Sequence, residues 1–254
     1  MEPLIVVDAQ IENGQPPYVQ LTNSINYFST VSKEILSGIF IRNAQVTVSD
    51  GTSTHKLKEY AVPIGGGFNI YYYSIDSTNL STAIIGKFNK KYTLRVEVNN
   101  KIYTSETTIP SLTKTLDSLW WKPAPQNADT TKVIIMSRIY DPPGYGNYVR
   151  YFTKVNTGNF LPGYTSAYDD QVIDGKTYDI QVDQGVDRNK PAEPEDYGFF
   201  ERGDTATIKF CNIDKATYDF WRTVEYGYQS VGNPFSSPIK ILGNISNGAL
   251  GAFC

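Results

Sequence analysis

The sequence predicts a mainly β protein built as two modules, a β-sandwich over residues 1–112 and a second β-rich module with one helix over residues 113–254. Three observations carry that expectation. Short runs of alternating apolar and polar residues recur along the first half, each bounded by Asn, Asp, Gly or Pro. Aromatic residues crowd those runs, with 19 Tyr and 12 Phe in 254 residues, as half-buried pleated surfaces favour. A convincing helical spacing occurs only over residues 213–226.

Residues 4–11 place Ile5, Val7, Ala9 and Ile11 on one side and Val6, Asp8 and Gln10 on the other, a half-buried strand. Asn13-Gly14-Gln15-Pro16-Pro17 turns the chain into a second strand over 18–22. Residues 23–43 are polar and weakly patterned, an expected loop. Ala44–Ser49 alternates again and stops at Asp50-Gly51, and residues 55–60 are expected to pair back on it. His55, the single histidine, then reads as a solvated strand residue. Gly65-Gly66-Gly67 is a break, without the helix and Gly-Lys-Ser/Thr that would cradle a phosphate. It feeds a strand over 68–73, where Tyr71, Tyr72 and Tyr73 read as sheet packing with Tyr72 kept as a ligand-stacking candidate. Tyr92–Val98 turns Tyr92, Leu94, Val96 and Val98 inward, Asn99-Asn100 accepts the positive φ of a tight turn, and residues 102–107 return. About seven strands thus fill residues 4–109, the grammar of a sandwich. Ile109-Pro110-Ser111-Leu112 closes the module. The order of Asn43–Val48, Asp50-Gly51, a glycine ahead of an aromatic strand and Tyr92–Val96 resembles the transthyretin-like or carboxypeptidase-regulatory-like sandwich, so the expected module is a transthyretin/immunoglobulin-like β-sandwich.

Leu116–Trp121 opens the second module. Neighbours on a strand face opposite sides, so one of Trp120 and Trp121 is core and the other a contact candidate. Lys132–Tyr140 is apolar on both faces, hence a central strand. Asp141-Pro142-Pro143-Gly144-Tyr145-Gly146-Asn147 follows as a stiff corner, because proline cannot donate to a ladder and glycine tolerates positive φ. Tyr145 at its tip is a further contact candidate, and Tyr148–Val155 resumes the sheet. Residues 156–203 are loop-rich, with a strand over 177–182 and a charged excursion over 183–197. Asp169, Asp170, Asp174, Asp179, Asp183 and Asp187 invite a calcium reading but lack the spacing of a calcium loop, so solvated turn and edge carboxylates are expected. A strand over 205–211 leads to the helix near 214–226, with Asp214 as N-cap and Ala216 or Thr217, Phe220 or Trp221, Val224 and Tyr228 on its packed stripe. The turn-rich tail ends in a last strand, assigned to this module.

A net charge of −3 and a pI near 5.3, with no basic stripe, speak against nucleic acid as a partner. No apolar run approaches the roughly 20 residues a spanning helix needs. Met1-Glu2-Pro3 leads straight into a strand, and of two readings, a cytosolic protein or one whose export signal has been removed, the second is expected. One histidine and no Cys-x-x-Cys leave no zinc or haem site and no cofactor in prospect. Neither serine nor cysteine sits in a nucleophile motif, and no carboxylate pair stands out for glycoside hydrolysis, so a non-enzyme is expected. Cys211 and Cys254 can form one disulfide, contributing on the order of 4 kcal/mol, or remain thiols.

Four segments carry a resemblance across nearly the whole chain. They are Leu4–Thr22 with Asn13, Gly14 and Pro17; Asn43–Gly51; Asp141–Arg150 with Asp141, Pro142, Gly144, Asn147 and Tyr148; and Asn233-Pro234-Phe235 with Gly243–Phe253. In this order they resemble the domain-of-unknown-function 4249 family of predicted Bacteroidota lipoproteins. The resemblance implies an export signal and a lipidated N-terminal cysteine, neither of which this sequence contains. It also implies outer-membrane anchoring through that lipid alone, and a role beside a TonB-dependent transporter or with a surface ligand. It transfers no catalytic or binding residues. Rival expectations are a fimbrillin-like surface adhesin and a glycan-binding module built on exposed aromatics.

Overall fold

The computed structural model describes residues 3–25, 32–125, 127–188, 197–231, 237 and 239–254. The chain is mainly β and divides into two compact units, Met1–Ser111 with Leu242–Cys254, and Leu112–Ile241.

The first unit contains β1 (Ile5–Gln10), β2 (Tyr18–Asn23), α1 (Lys33–Gly38), β3 (Gln45–Ser49), β4 (Thr54–Lys56), β5 (Lys58–Gly65), β6 (Phe68–Ser74), β7 (Lys90–Val98) and β8 (Lys101–Ile109). One sheet runs from the terminal strand Leu250–Phe253 through β1, β2 and β6 to β5; the other runs β4, β3, β7, β8. Their period-two patterns explain the packing. Val7, Val19, Leu21 and Phe253 from the first sheet and Val46, Val48, Leu94 and Val96 from the second are each at most 1% exposed and share one core. Each such side chain contributes about 1.5–3 kcal/mol by leaving water.

Several stretches depart from the sequence reading. Within the expected loop over 23–43 stands α1, six residues long and so too short for periodicity to register, with the Ser32 side chain accepting from the Ile35 N–H at 3.3 Å. Residues 55–60 are not one strand, because β4 and β5 belong to different sheets. The chain crosses between them at buried Leu57, whose N–H donates to the Val46 carbonyl at 2.8 Å. Gly65-Gly66-Gly67 is the tight turn between β5 and β6, with φ of 85, 67 and 82°. The terminal strand, expected in the second module, pairs in parallel with β1 instead. Gly251 permits this approach: its φ is +96°, and a Cβ there would lie 2.0 Å from the Val7 carbonyl oxygen.

His55 also differs from expectation, being 1% exposed rather than solvated. Its Nε2 accepts from the Asp76 N–H at 3.1 Å and its Nδ1 lies 2.8 Å from the Thr82 hydroxyl, so the ring is held neutral with the proton on Nδ1. Burial lowers its pKa below the ordinary 6.5, with Asp76 pulling the other way. The unfolded chain therefore takes up a proton that the folded unit refuses, and stability falls as pH drops below about 6.5. Calorimetry should show the first unit melting lower at pH 5 than at pH 7.5, with the difference reduced in His55→Gln; an equal pH response in that variant would contradict this.

The second unit contains β9 (Thr115–Pro123), β10 (Lys132–Tyr140), β11 (Tyr148–Val155), β12 (Ala167–Tyr168), β13 (Thr177–Val182), β14 (Phe200–Glu201), β15 (Ala206–Ile213) and α2 (Lys215–Gln229). In one sheet β10 pairs with β9, β13 and β14; in the other β11 lies between β12 and β15. The central placement of β10 follows from its two apolar faces, with Val133, Ile134 and Ile139 all buried. The α2 helix packs on β11 and β12, and Asp214 caps it by accepting from the Thr217 N–H at 2.9 Å. Its buried residues are Thr217, Tyr218 and Glu225, whereas Tyr228, expected on the packed stripe, is 42% exposed. A hydrophobicity pattern misplaces this face because a carboxylate occupies it.

Candidate functional site

The Pro-Pro-Gly corner joins β10 to β11 and carries the chain from one sheet of the second unit to the other. Gly144 and Gly146 have φ of 116 and 111° there. The Asp170 carboxylate accepts from the Gly146 and Asn147 N–H groups, each at 2.9 Å, and Asp174 accepts from the Gly144 N–H at 2.7 Å. Burial pushes Asp170 up, but those donors outweigh it and hold the carboxyl below the usual range. Asn147 donates to the Gly144 carbonyl at 2.8 Å and accepts from the Thr113 hydroxyl at 2.8 Å. Asp141 is fully buried beside Lys114, and Tyr148 stacks on Tyr218 at 4.9 Å. Of the aspartates read as solvated, Asp170 is instead 1% exposed and Asp169 accepts from Tyr218, whereas Asp179 stays exposed and pairs with Arg138 at the surface. In the first unit, Gly14 has a φ of 77° and its N–H donates to the Gly86 carbonyl, in line with the Asn13 bridge to Gly86. The Pro17 carbonyl accepts from Ser74. Asn233, Pro234 and Phe235 lie outside the described residues, as do residues 189–196 of the charged excursion.

Of the four contact candidates Tyr72 belongs to the first unit and Trp120, Trp121 and Tyr145 to the second, where Trp120 and Trp121 line one groove that Tyr145 does not. Tyr72 stands in the first unit between Tyr18 and Tyr60, stacked at 4.9 and 5.4 Å from strands on either side, so both ring faces are covered. Trp120 is half-buried, with Arg138 and Lys122 each 5.9 Å from its ring. Trp121 is 58% exposed and borders a groove of about 390 Å³ with Leu119, Ile135, Ile208 and Arg202. Tyr145 projects from the corner at 76% exposure. Cys211 lies on β15 of the second unit, while Cys254 follows the terminal strand of the first and exchanges backbone bonds with Ala9 and Ile11.

The most developed site is one the sequence did not single out. A cleft of about 690 Å³ in the second unit is lined by Tyr164, Thr165, Tyr168, Asp183, Tyr197, Tyr228 and Gln229. Its walls come from β12 and the loop before it, the segment after β13, the residue opening the approach to β14, and the last turn of α2. The Tyr164 and Tyr197 rings meet at 4.5 Å and 50°. The Tyr197 hydroxyl donates to Asp183 Oδ2 at 3.1 Å while Gln181 donates to Oδ1 at 2.9 Å, fixing the carboxylate plane. Gln229 donates to the Tyr164 carbonyl and the Thr165 hydroxyl. Burial, then the neighbouring Asp183, pushes the Tyr168 hydroxyl up to about 12, and the same causes raise Tyr197. Both tyrosines stay protonated donors at any ordinary pH.

A buried polar network holds the two sides of the cleft in place. Glu225, one turn before Tyr228, accepts from the Ser166 N–H at 2.9 Å and from the Ser166 hydroxyl. Arg150 on β11 donates to Ser166 Oγ at 3.1 Å, approaches Glu225 at 3.8 Å, and lies between Trp221 and Phe152, 3.5 and 4.6 Å from their ring centres. All three polar residues are buried. Only the tyrosine density of residues 164–197 hinted at the cleft, because its walls meet through tertiary contacts across some 65 positions.

Among the described residues, no cluster of His, Cys, Asp and Glu is arranged to hold a metal ion, and no helix is long and apolar enough to cross a membrane. A family model described as a domain of unknown function, DUF4249, matches residues 1–254. No curated protein matches the chain.

Proposed function

The chain belongs to the DUF4249 family, and from that membership we propose that it is a non-catalytic, ligand-binding lipoprotein of the bacterial outer membrane, of the Bacteroidota type, serving a TonB-dependent transporter. The tyrosine cleft is the observation that carries the reading. It is polar and aromatic, pre-shaped by the Ser166–Glu225 contact, and of a size within the roughly 300–1,000 Å³ typical of small-molecule sites. Its described lining holds one carboxylate, Asp183, whereas glycoside hydrolysis draws on two, which favours binding over turnover. Leu250–Phe253 pairs with β1 inside the first unit and is not left unpaired for donation, which favours binding over the adhesin reading.

The test is the native gene product in its own host. Expected are incorporation of an alkyne-labelled fatty acid, fractionation with the outer membrane, and recovery of a TonB-dependent transporter after cross-linking and purification. An unlabelled protein in the cytosolic fraction would overturn the lipoprotein assignment, and a labelled protein that never recovers a transporter would overturn the partnership.

A further inference from the structure

The chemistry of the cleft narrows the ligand class, on the footing that the cleft is the binding site proposed above. Four tyrosines give it aromatic faces, and each also brings a hydroxyl, so neither a wholly apolar nor a wholly hydrophilic ligand matches the wall. Tyr168 is backed by Tyr151, its ring 6.1 Å away and nearly parallel, and Tyr228 is backed by the Arg188 guanidinium at 4.7 Å. Each thus offers one face. Charge narrows the class further. Asp183 is the only ionised side chain among the described lining residues and repels anions, while Arg188, flanking Tyr228, repels cations. Behind the wall Glu225 and Arg222 also act on Tyr168, so among these four groups two carboxylates face two guanidinium groups.

We infer that the ligand is an uncharged oligosaccharide. A pyranose ring has an apolar C–H face that fits against a tyrosine and a rim of hydroxyls that both donate and accept. Asp183 is suited to that rim. Each of its oxygens takes one bond from within the protein, from Tyr197 or Gln181, and an ionised carboxylate has about four acceptor positions. Gln229 spends its amide N–H groups on Tyr164 and Thr165, which leaves its carbonyl oxygen to accept from a sugar hydroxyl. Tyrosine loses little freedom on binding, and the buried Ser166–Glu225 contact has already ordered the two walls.

Titration calorimetry of the full chain at pH 7.5 tests this with cello-, malto-, xylo-, laminari- and mannotriose as neutral probes, a sulfated chondroitin disaccharide as the anion and phenyltrimethylammonium as the cation. Expected is saturable binding of at least one neutral trisaccharide, weakened about tenfold in Tyr228→Ala, the loss of one aromatic contact, and at least as much in Asp183→Asn. Tyr228 is exposed on the helix, so its replacement leaves the fold intact and isolates the contact. Binding that Tyr228→Ala and Asp183→Asn leave unchanged would place the sugar elsewhere and overturn the inference. Binding of only the charged probes, abolished by the same variants, would overturn the saccharide while leaving the cleft a binding site. No binding of any probe would overturn the saccharide assignment; a metabolite-library thermal-shift screen with no hit sensitive to Tyr228→Ala would then remove the binding site as well.

Discussion

Lys114→Met is expected to cost the second unit about 3–5 kcal/mol, and adding Asp141→Leu should recover most of it. Lys114 Nζ and Asp141 Oδ2 are 3.3 Å apart, and neither side chain has any exposed surface. Among the described residues no other hydrogen bond supports either charge: Lys114 Nζ and both Asp141 oxygens lack a partner beyond the ion pair itself, and Lys114 Nζ otherwise faces only the Tyr178 ring at 5.7 Å. Burial pushes the Asp141 carboxyl above its ordinary range despite the opposing pull of Lys114. Two charges stripped of water and bonded only to each other offset little more than their own desolvation, so a matched apolar pair should do nearly as well. A lone survivor cannot, because the field that tolerated it has gone. Urea unfolding followed by tryptophan fluorescence reads this cleanly, since Trp120, Trp121 and Trp221 all lie in the second unit. If the double variant were as unstable as the single one, the pair would be worth more than its isolation implies.

That pair shows what the sequence could and could not convey. The corner's rigidity was legible in Pro142, Pro143, Gly144 and Gly146, because those residues restrict the backbone locally. The partners that fix it, Asp170, Asp174 and Thr113, lie 23 to 34 positions away and carry no local signature. The first sandwich was legible for the same reason, since period two in β1, β3 and β7 states which face is buried. The return of Leu250–Phe253 to β1 was not. A four-residue strand beside glycines gives no pairing address, and Gly251 reveals its purpose only against the Val7 carbonyl. The alternation of Trp120 and Trp121 said that the two face opposite sides without saying which is exposed; Trp121 is, and so is Tyr145 at the corner's tip. The cleft went unseen because tyrosines in loops read as packing until the chain folds.

Glu225→Ala should destabilise the second unit by about 3–5 kcal/mol and disorder the cleft even though residue 225 does not line it. The Glu225 carboxylate answers the Ser166 N–H and hydroxyl, and it lies beside the stacked Arg150 guanidinium. Its removal leaves a guanidinium and a backbone N–H in a dry interior with less to satisfy them. Arg150 keeps its contacts to Trp221 and Phe152, so the loss falls on the tie between α2 and the segment holding Thr165 and Tyr168. Glu225→Gln keeps the shape and one acceptor: the amide oxygen can still accept from the Ser166 and Ala167 N–H groups and the NH2 can donate to the Ser166 hydroxyl oxygen, while the second acceptor and the charge facing Arg150 disappear. It should therefore cost less than the alanine variant and retain the cleft. Hydrogen exchange at Ser166 and Ala167 is the measurement. Faster exchange in Glu225→Ala than in Glu225→Gln, compared at matched stability in low urea, would show that the carboxylate sets the cleft's walls. Equal exchange in the two variants would mean that helix packing alone positions them.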